Sequence, residues 1–187
     1  LEAHIENGGA IRASDGFVYL TARAANDLLA STINHSGIIE ATSISNVGGR
    51  VVLEGDAIDL EGAASIDASG EMGGGDVLIG GDWQGGSNAE RRVFDDPAML
   101  REATTVNMGS GVTIDASAIN NGDGGTVVLW SDIRNVNSQT SAHGAIDARA
   151  GLNGGDGGFI ETSGASLALS DIQISTESSA GVTGEWL

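Results

Sequence analysis

The chain has 187 residues, among them 30 glycines, one proline and no cysteine, and carries a net charge of −18. A surface this acidic repels nucleic-acid phosphates and anionic lipids, and the lack of cysteine excludes both a disulfide framework and a thiol nucleophile. Hydrophobic residues still make up 40%, enough for a core, so the glycines are read as turns between many short strands.

No apolar run approaches the roughly 20 residues that cross a bilayer, so no membrane insertion is expected. The start, Leu1 to Glu6, has neither the basic flank nor the apolar stretch of a signal peptide. An export address is therefore expected outside these residues.

Along the chain one phrase keeps returning: Ile, any residue, Ala, then usually Ser or Thr. Its copies are Ile11-Arg12-Ala13-Ser14, Ile39-Glu40-Ala41-Thr42, Ile66-Asp67-Ala68-Ser69, Ile114-Asp115-Ala116-Ser117 and Ile146-Asp147-Ala148-Arg149. Ile174-Ser175-Thr176-Glu177 is a degenerate sixth. The period is roughly 28 residues, with one insertion of about 21 between Ile66 and Ile114. After each phrase come a glycine-rich turn and a run of the type Gly-x-Val-x-Leu. Three alternating strands fit each period, as in Val51–Leu53, Ala57–Leu60 and Ser65–Ala68.

A strand that short cannot bury a face alone, but stacking it in parallel on its own copy can. The expectation is all-β: a right-handed parallel β-helix of about six coils, one segment over 1–187, roughly 30 Å tall. Alignment predicts two inward columns. They are Val18, Val51, Val77, Val127 and Ile160, then Leu20, Leu53, Ile79, Leu129 and Thr162. The insertion, residues 84–105, is expected to be partly helical, with a short helix over Asp95–Ala103. Asp96 would cap it and Pro97 would take its first position. It is expected to pack on the shaft over an outward stripe of Tyr19, Val52, Leu78 and Val128.

Two outward columns are acidic. Glu40, Asp67, Asp115 and Asp147 follow Arg12 in one, and Asp56, Asp82 and Asp132 form the other. Carboxylates stacked at ~4.8 Å are candidates for sharing calcium. The competing reading is a solvated acidic face, favoured because such stacks lack a full ligand set. Gly73-Gly74-Gly75-Asp76 resembles a calcium-binding glycine–aspartate repeat, but the nine-residue recurrence fails. Those glycines are read as turn residues needing positive φ. Trp83 and Trp130 are the candidate ligand-binding residues, since an exposed indole stacks on a sugar ring. The alternative is that both anchor the insertion.

His4, His35 and His143 show no metal-ligand spacing, and no nucleophile elbow or phosphate loop is present. No enzyme is expected. A polysaccharide-active β-helix enzyme remains the alternative on fold analogy.

Gly80-Gly81-Asp82-Trp83-Gln84-Gly85, Asn121-Gly122-Asp123-Gly124-Gly125-Thr126-Val127-Val128-Leu129-Trp130 and Gly154-Gly155-Asp156-Gly157-Gly158-Phe159-Ile160-Glu161-Thr162 resemble the filamentous haemagglutinin-like exoproteins of two-partner secretion systems. The closing Thr183-Gly184-Glu185-Trp186-Leu187 looks like a phrase that commonly runs on. The resemblance covers nearly all the chain outside 86–105, and the family's amino-terminal secretion domain is not visible in it. It implies export through an outer-membrane transporter and a secreted, extracellular or cell-surface location. It also implies a β-helical shaft that attaches to a glycan, an exopolysaccharide of a biofilm matrix or a host surface receptor. An inert spacer of a toxin-delivery exoprotein is the other branch.

Overall fold

Strands of two to five residues alternate inward and outward side chains, so each offers the core at most one or two apolar groups. Burying an isoleucine or leucine is worth about 1.5–3 kcal/mol, too little to hold a strand that has no neighbours. The chain solves this by repetition. The computed structural model describes residues 2–24, 30–96, 98 and 100–187.

These residues form three parallel six-stranded sheets wound into a β-helix of six coils. The first sheet contains Ala3–Asn7, Ser31–His35, Ala57–Leu60, Thr105–Met108, Gln139–Ala142 and Ser166–Ala168. The second stacks Ala10–Arg12, Ile38–Glu40, Ser65–Asp67, Thr113–Asp115, Ala145–Asp147 and Gln173–Ser175. The third stacks Phe17–Thr21, Arg50–Glu54, Asp76–Ile79, Thr126–Trp130, Phe159–Ser163 and Glu185–Trp186.

The register places like on like. The phrase isoleucines pair as Ile11↔Ile39↔Ile66↔Ile114↔Ile146↔Ile174. The predicted valine column pairs as Val18↔Val51↔Val77↔Val127↔Ile160. Its members are buried in one core that runs the length of the column, with the leucine column beside them. Among the polar groups that enter that core, His35 is fully buried opposite Leu60, its Nδ1 within 3.1 Å of Asn7 Nδ2. Burial pushes its pKa down, so it sits neutral in the core.

The corner between the second and third sheets explains most of the glycine. In the four inner coils the second glycine of a pair donates its N–H to the phrase alanine, as Gly75 to Ala68 O and Gly125 to Ala116 O, at 2.9 and 2.8 Å. Of Gly73–Gly75, the glycines expected to need positive φ, only Gly73 has it, at 152°. Gly74 and Gly75 are glycine for lack of room. A Cβ on Gly75 would lie 2.0 Å from Gly49 O, and one on Gly74 would lie 1.8 Å from Ala116 O. The coil rise brings backbone against backbone there.

The insertion leaves the coil after Gly80 and returns at Ala103. Gly80 N–H donates to Leu53 O, Ala103 N–H donates to Gly80 O at 2.8 Å, and Ala103 bridges Ser131 in parallel. Of the stretch 95–103 expected to be helical, Asp95, Asp96 and Leu100 lie in bends, Ala98 in a turn and Ala103 in a bridge; Pro97 and Met99 lie outside the described residues. Both ends of this stretch are tied to the shaft or to Asp82. Phe94 N–H is held by the Asp82 carboxylate, and Ala103 is drawn into the sheet. A 3-10 turn instead opens the insertion at Trp83–Gly86, capped by Asp82.

Candidate functional site

The second sheet carries an acidic ladder on its outer side. Parallel pairing sets Arg12, Glu40, Asp67, Asp115, Asp147 and Ser175 one above another. Asp67, Asp115 and Asp147 each accept the N–H two residues on, from Ser69, Ser117 and Arg149 at 2.8–3.0 Å. These turns explain why aspartate recurs there: its short carboxylate closes the corner. Arginines flank the ladder, Arg12 on Glu40 at 2.5 Å and Arg149 on Asp147 at 2.6 Å. Asp67 and Asp115 stand between them, lining a shallow groove with Ser65 and Thr113. Among the described residues no three acidic or histidine side chains converge on one point. The ladder sets its carboxylates side by side rather than around a centre.

Burial raises the Asp115 pKa, and the charges of Asp147 and Asp67 add to it, while Ser117 pulls it back. A carboxylate raised on folding stabilises below its unfolded pKa and loses that contribution as pH rises through the folded value. At neutral pH Asp115 therefore works against the fold. Asp115→Asn keeps an acceptor for the Ser117 N–H and removes the charge. It is expected to raise the melting temperature at pH 7 in low salt. The gain should shrink in high salt and disappear near pH 4. Melting curves at the two pH values check this; a loss at pH 7 would refute it.

The second expected column is broken. Thr104, not Asp82, stands between Asp56 and Asp132: its N–H donates to Asp56 O, and Asp132 N–H donates to Ala103 O. Asp56 accepts from Ser31 N–H and Oγ, both at 2.8 Å, and pairs with Arg101 at 2.9 Å. Asp132 holds Arg134 at 3.0 Å. Asp82 is carried out with the insertion and buried beneath it. Its carboxylate accepts three backbone N–H groups, from Trp83, Val93 and Phe94, at 2.7, 2.8 and 2.9 Å.

The outer face of the third sheet is covered. Val52, Leu78 and Val128 are buried in a second cluster with Trp83, Leu100 and Trp130, and Val93, Phe94 and Phe159 pack against it. Tyr19, at the end of that stripe, stays exposed and donates its hydroxyl to Glu54, which also pairs with Arg23 at 2.7 Å. Trp83 is 1% exposed and Trp130 3%, so neither offers a ring face to a sugar. The indole of Trp83 meets Phe159 edge-on at 6.0 Å, and Arg91 lies 4.0 Å over the Phe159 ring. Trp130 lies against Gly81 and Gly85, where a Cβ would come within 2.5 and 2.8 Å of its indole.

Sequence reading missed Glu161. It sits in the stripe column opposite Val128, buried, and accepts Gln84 N–H at 2.7 Å and Ser163 Oγ at 2.7 Å. Burial raises its pKa. The signal was available: an acid in a column otherwise made of Tyr, Val and Leu needs a partner from outside the coil.

No family model matches the chain. A stretch of 62 residues, 33% of the chain, is 36% identical to the heme/hemopexin-binding protein of Haemophilus influenzae. It spans only 6% of that protein. The crystal structure of the HMW1 secretion domain from Haemophilus influenzae matches with a TM-score of 0.64 over 97% of this chain. The two share a fold. Their sequences are 24% identical, and the chain spans 49% of the length of that secretion domain's chain. No helix among the described residues is long and apolar enough to cross a membrane.

Proposed function

We propose that the chain is part of the β-helical shaft of a large secreted bacterial exoprotein. In this reading the protein leaves the cell through an outer-membrane transporter and attaches, outside it, to a glycan, a matrix polysaccharide or a host surface. The observation that carries the reading is the fold shared with the HMW1 secretion domain over 97% of the chain. The corner phrases that resemble filamentous haemagglutinin-like exoproteins support it, and so does the partial likeness to the heme/hemopexin-binding protein.

A shaft needs length, stiffness and a surface, and each coil supplies all three from about 28 residues. It does not need a catalytic centre, and we read the chain as non-enzymatic. The covered tryptophans direct attention elsewhere. The face we assign to a neutral glycan is the groove of the second sheet. There hydroxyls of Ser65 and Thr113 alternate with carboxylates of Asp67 and Asp115, a pattern suited to sugar hydroxyl donors.

A second reading is favoured by the same match: the segment serves recognition by the transporter instead of attachment. One set of measurements separates them. The purified chain is titrated with bacterial exopolysaccharides and host glycans, with calcium or with chelator. Saturable binding lost in Asp67→Asn is expected for attachment. Loss with chelator would assign calcium to Glu40, Asp67, Asp115 and Asp147. Absence of binding under both conditions, together with failed export when these coils are deleted from the full protein, would select the transport reading. A shortened polysaccharide would make the chain an enzyme.

A further inference from the structure

The corner between the second and third sheets exposes an aliphatic ridge that neither hydrophobic cluster uses. Ile44 is 89% exposed, Leu152 79% and Val182 71%, with Val47, Met72 and Ile119 also open to solvent. These six side chains come from five successive coils. Stacked turns set them on one corner. Met72 N–H donates to Asn46 O at 3.0 Å, Ile119 N–H to Gly70 O at 2.9 Å, and Ser179 Oγ to Leu152 O at 3.3 Å.

The turns themselves do not call for aliphatic residues. Their chemistry is carried by Asn46, Gly122, Asn153 and Gly155, which supply turn conformations and side-chain hydrogen bonds. A solvated corner of a strongly acidic rod is where Ser, Asn or Asp would cost nothing. Five coils instead place large exposed apolar groups at that corner, over a span of roughly 20 Å at ~4.8 Å per coil, with Glu71, Asp123 and Asp156 set among them. Large apolar groups recurring coil after coil on one exposed corner mark a contact surface.

Charge selects the occupant. Glu71, Asp123, Asp156 and Glu177 lie in the same turns, against Arg149, whose guanidinium is bound to Asp147 at 2.6 Å. The whole chain carries −18, so a second copy is repelled as it approaches. We infer that this ridge docks a segment of another protein that presents aliphatic side chains flanked by lysine or arginine. Apolar contact supplies affinity, and the acidic rims supply approach and orientation. This inference is independent of the glycan reading, which concerns a different face.

The test uses the intact chain and two fluorescent peptides of equal length and charge, one alternating leucine and lysine, the other serine and lysine. Both feel the net charge, but only the first can use the ridge. The leucine–lysine peptide is expected to bind at least tenfold more tightly, about 1.4 kcal/mol. That advantage should vanish in the double variant Ile44→Ser, Leu152→Ser. Both positions are exposed, and a thermal melt verifies that the variant folds; Val47→Thr with Met72→Gln replaces it otherwise. Equal affinity of the two peptides would overturn the inference, as would an advantage that survives in the folded variant. Sedimentation of the chain alone as a dimer that the same substitutions dissociate would overturn it in favour of a second copy.

Discussion

Gly125→Ala is expected to lower the melting temperature by roughly 6–12 °C, from about 3 kcal/mol at ~2–4 °C per kcal/mol for a chain of this size. The new Cβ would stand 1.9 Å from Gly75 O and 2.8 Å from Gly75 N. Both are backbone atoms of the coil beside it, so no side chain can rotate away. That backbone is fixed in turn, since Gly75 N–H bonds Ala68 O and Gly75 O accepts from Thr126 N–H. Relief requires two coils to separate at a corner, which breaks hydrogen bonds on either side. Gly62→Ala is the control. Gly62 has φ +62° and nothing within 4 Å of its Cβ position, so only the left-handed backbone cost of about 1 kcal/mol applies. Thermal melts of the two variants decide the matter. Equal losses would mean that coil separation does not limit these corners.

The second large effect is expected for Asp82→Ala, at about 3–5 kcal/mol. Three backbone N–H groups lose their acceptor at once, from Trp83, Val93 and Phe94. Each unpaired buried donor costs about 1–3 kcal/mol, and hydration recovers part of this only if the insertion lifts. Lifting would uncover Val52, Leu78 and Val128, so the variant pays in either form. Two readouts follow. Tryptophan emission should shift to the red as Trp83 and Trp130 meet water, and trypsin should cut sooner at Arg91 or Arg92. Asp82→Asn, which keeps one acceptor oxygen, should fall between. A variant with unchanged melting and unchanged cleavage would remove Asp82 from its role as the clasp of the insertion.

The solenoid was legible because its physics is repetitive. One isoleucine phrase, one Val-x-Leu strand and one glycine corner, seen in successive periods, fix the pairing of every sheet with its own copies. The inward columns followed from alternation alone. The acidic ladder was legible for the same reason, since register sets Asp67, Asp115 and Asp147 together. The insertion was not, because its partners are remote in sequence: Gln84 N–H and Glu161 are 77 positions apart. Local preference pointed to a helix from Asp95, whereas the contacts that hold the ends of that stretch, the clasp at Asp82 and the bridge at Ala103, are tertiary. The displacement of Asp82 from its column has the same origin, because spacing along the chain cannot tell where a loop is spliced into a repeat. Of the corner glycines read as turn residues needing positive φ, Gly73 has it, while Gly74 and Gly75 are glycine for another cause. Crowding by the next coil is a property of the stack and leaves no mark in a single turn.

The insertion also changes how the column bears load. Its coil-to-coil hydrogen bonds run along the long axis, so a pull on the two ends would part an unstrapped stack one coil at a time. Each coil of about 28 residues would then pay out roughly 90 Å of chain. The strap prevents this in the middle. It emerges from the third coil, lies on Val52 of the second and Val128 of the fourth, and grips Glu161 of the fifth through Gln84 N–H. Those four coils are therefore expected to resist separation until the Asp82 clasp opens, which would make the centre of the rod a single tensile unit.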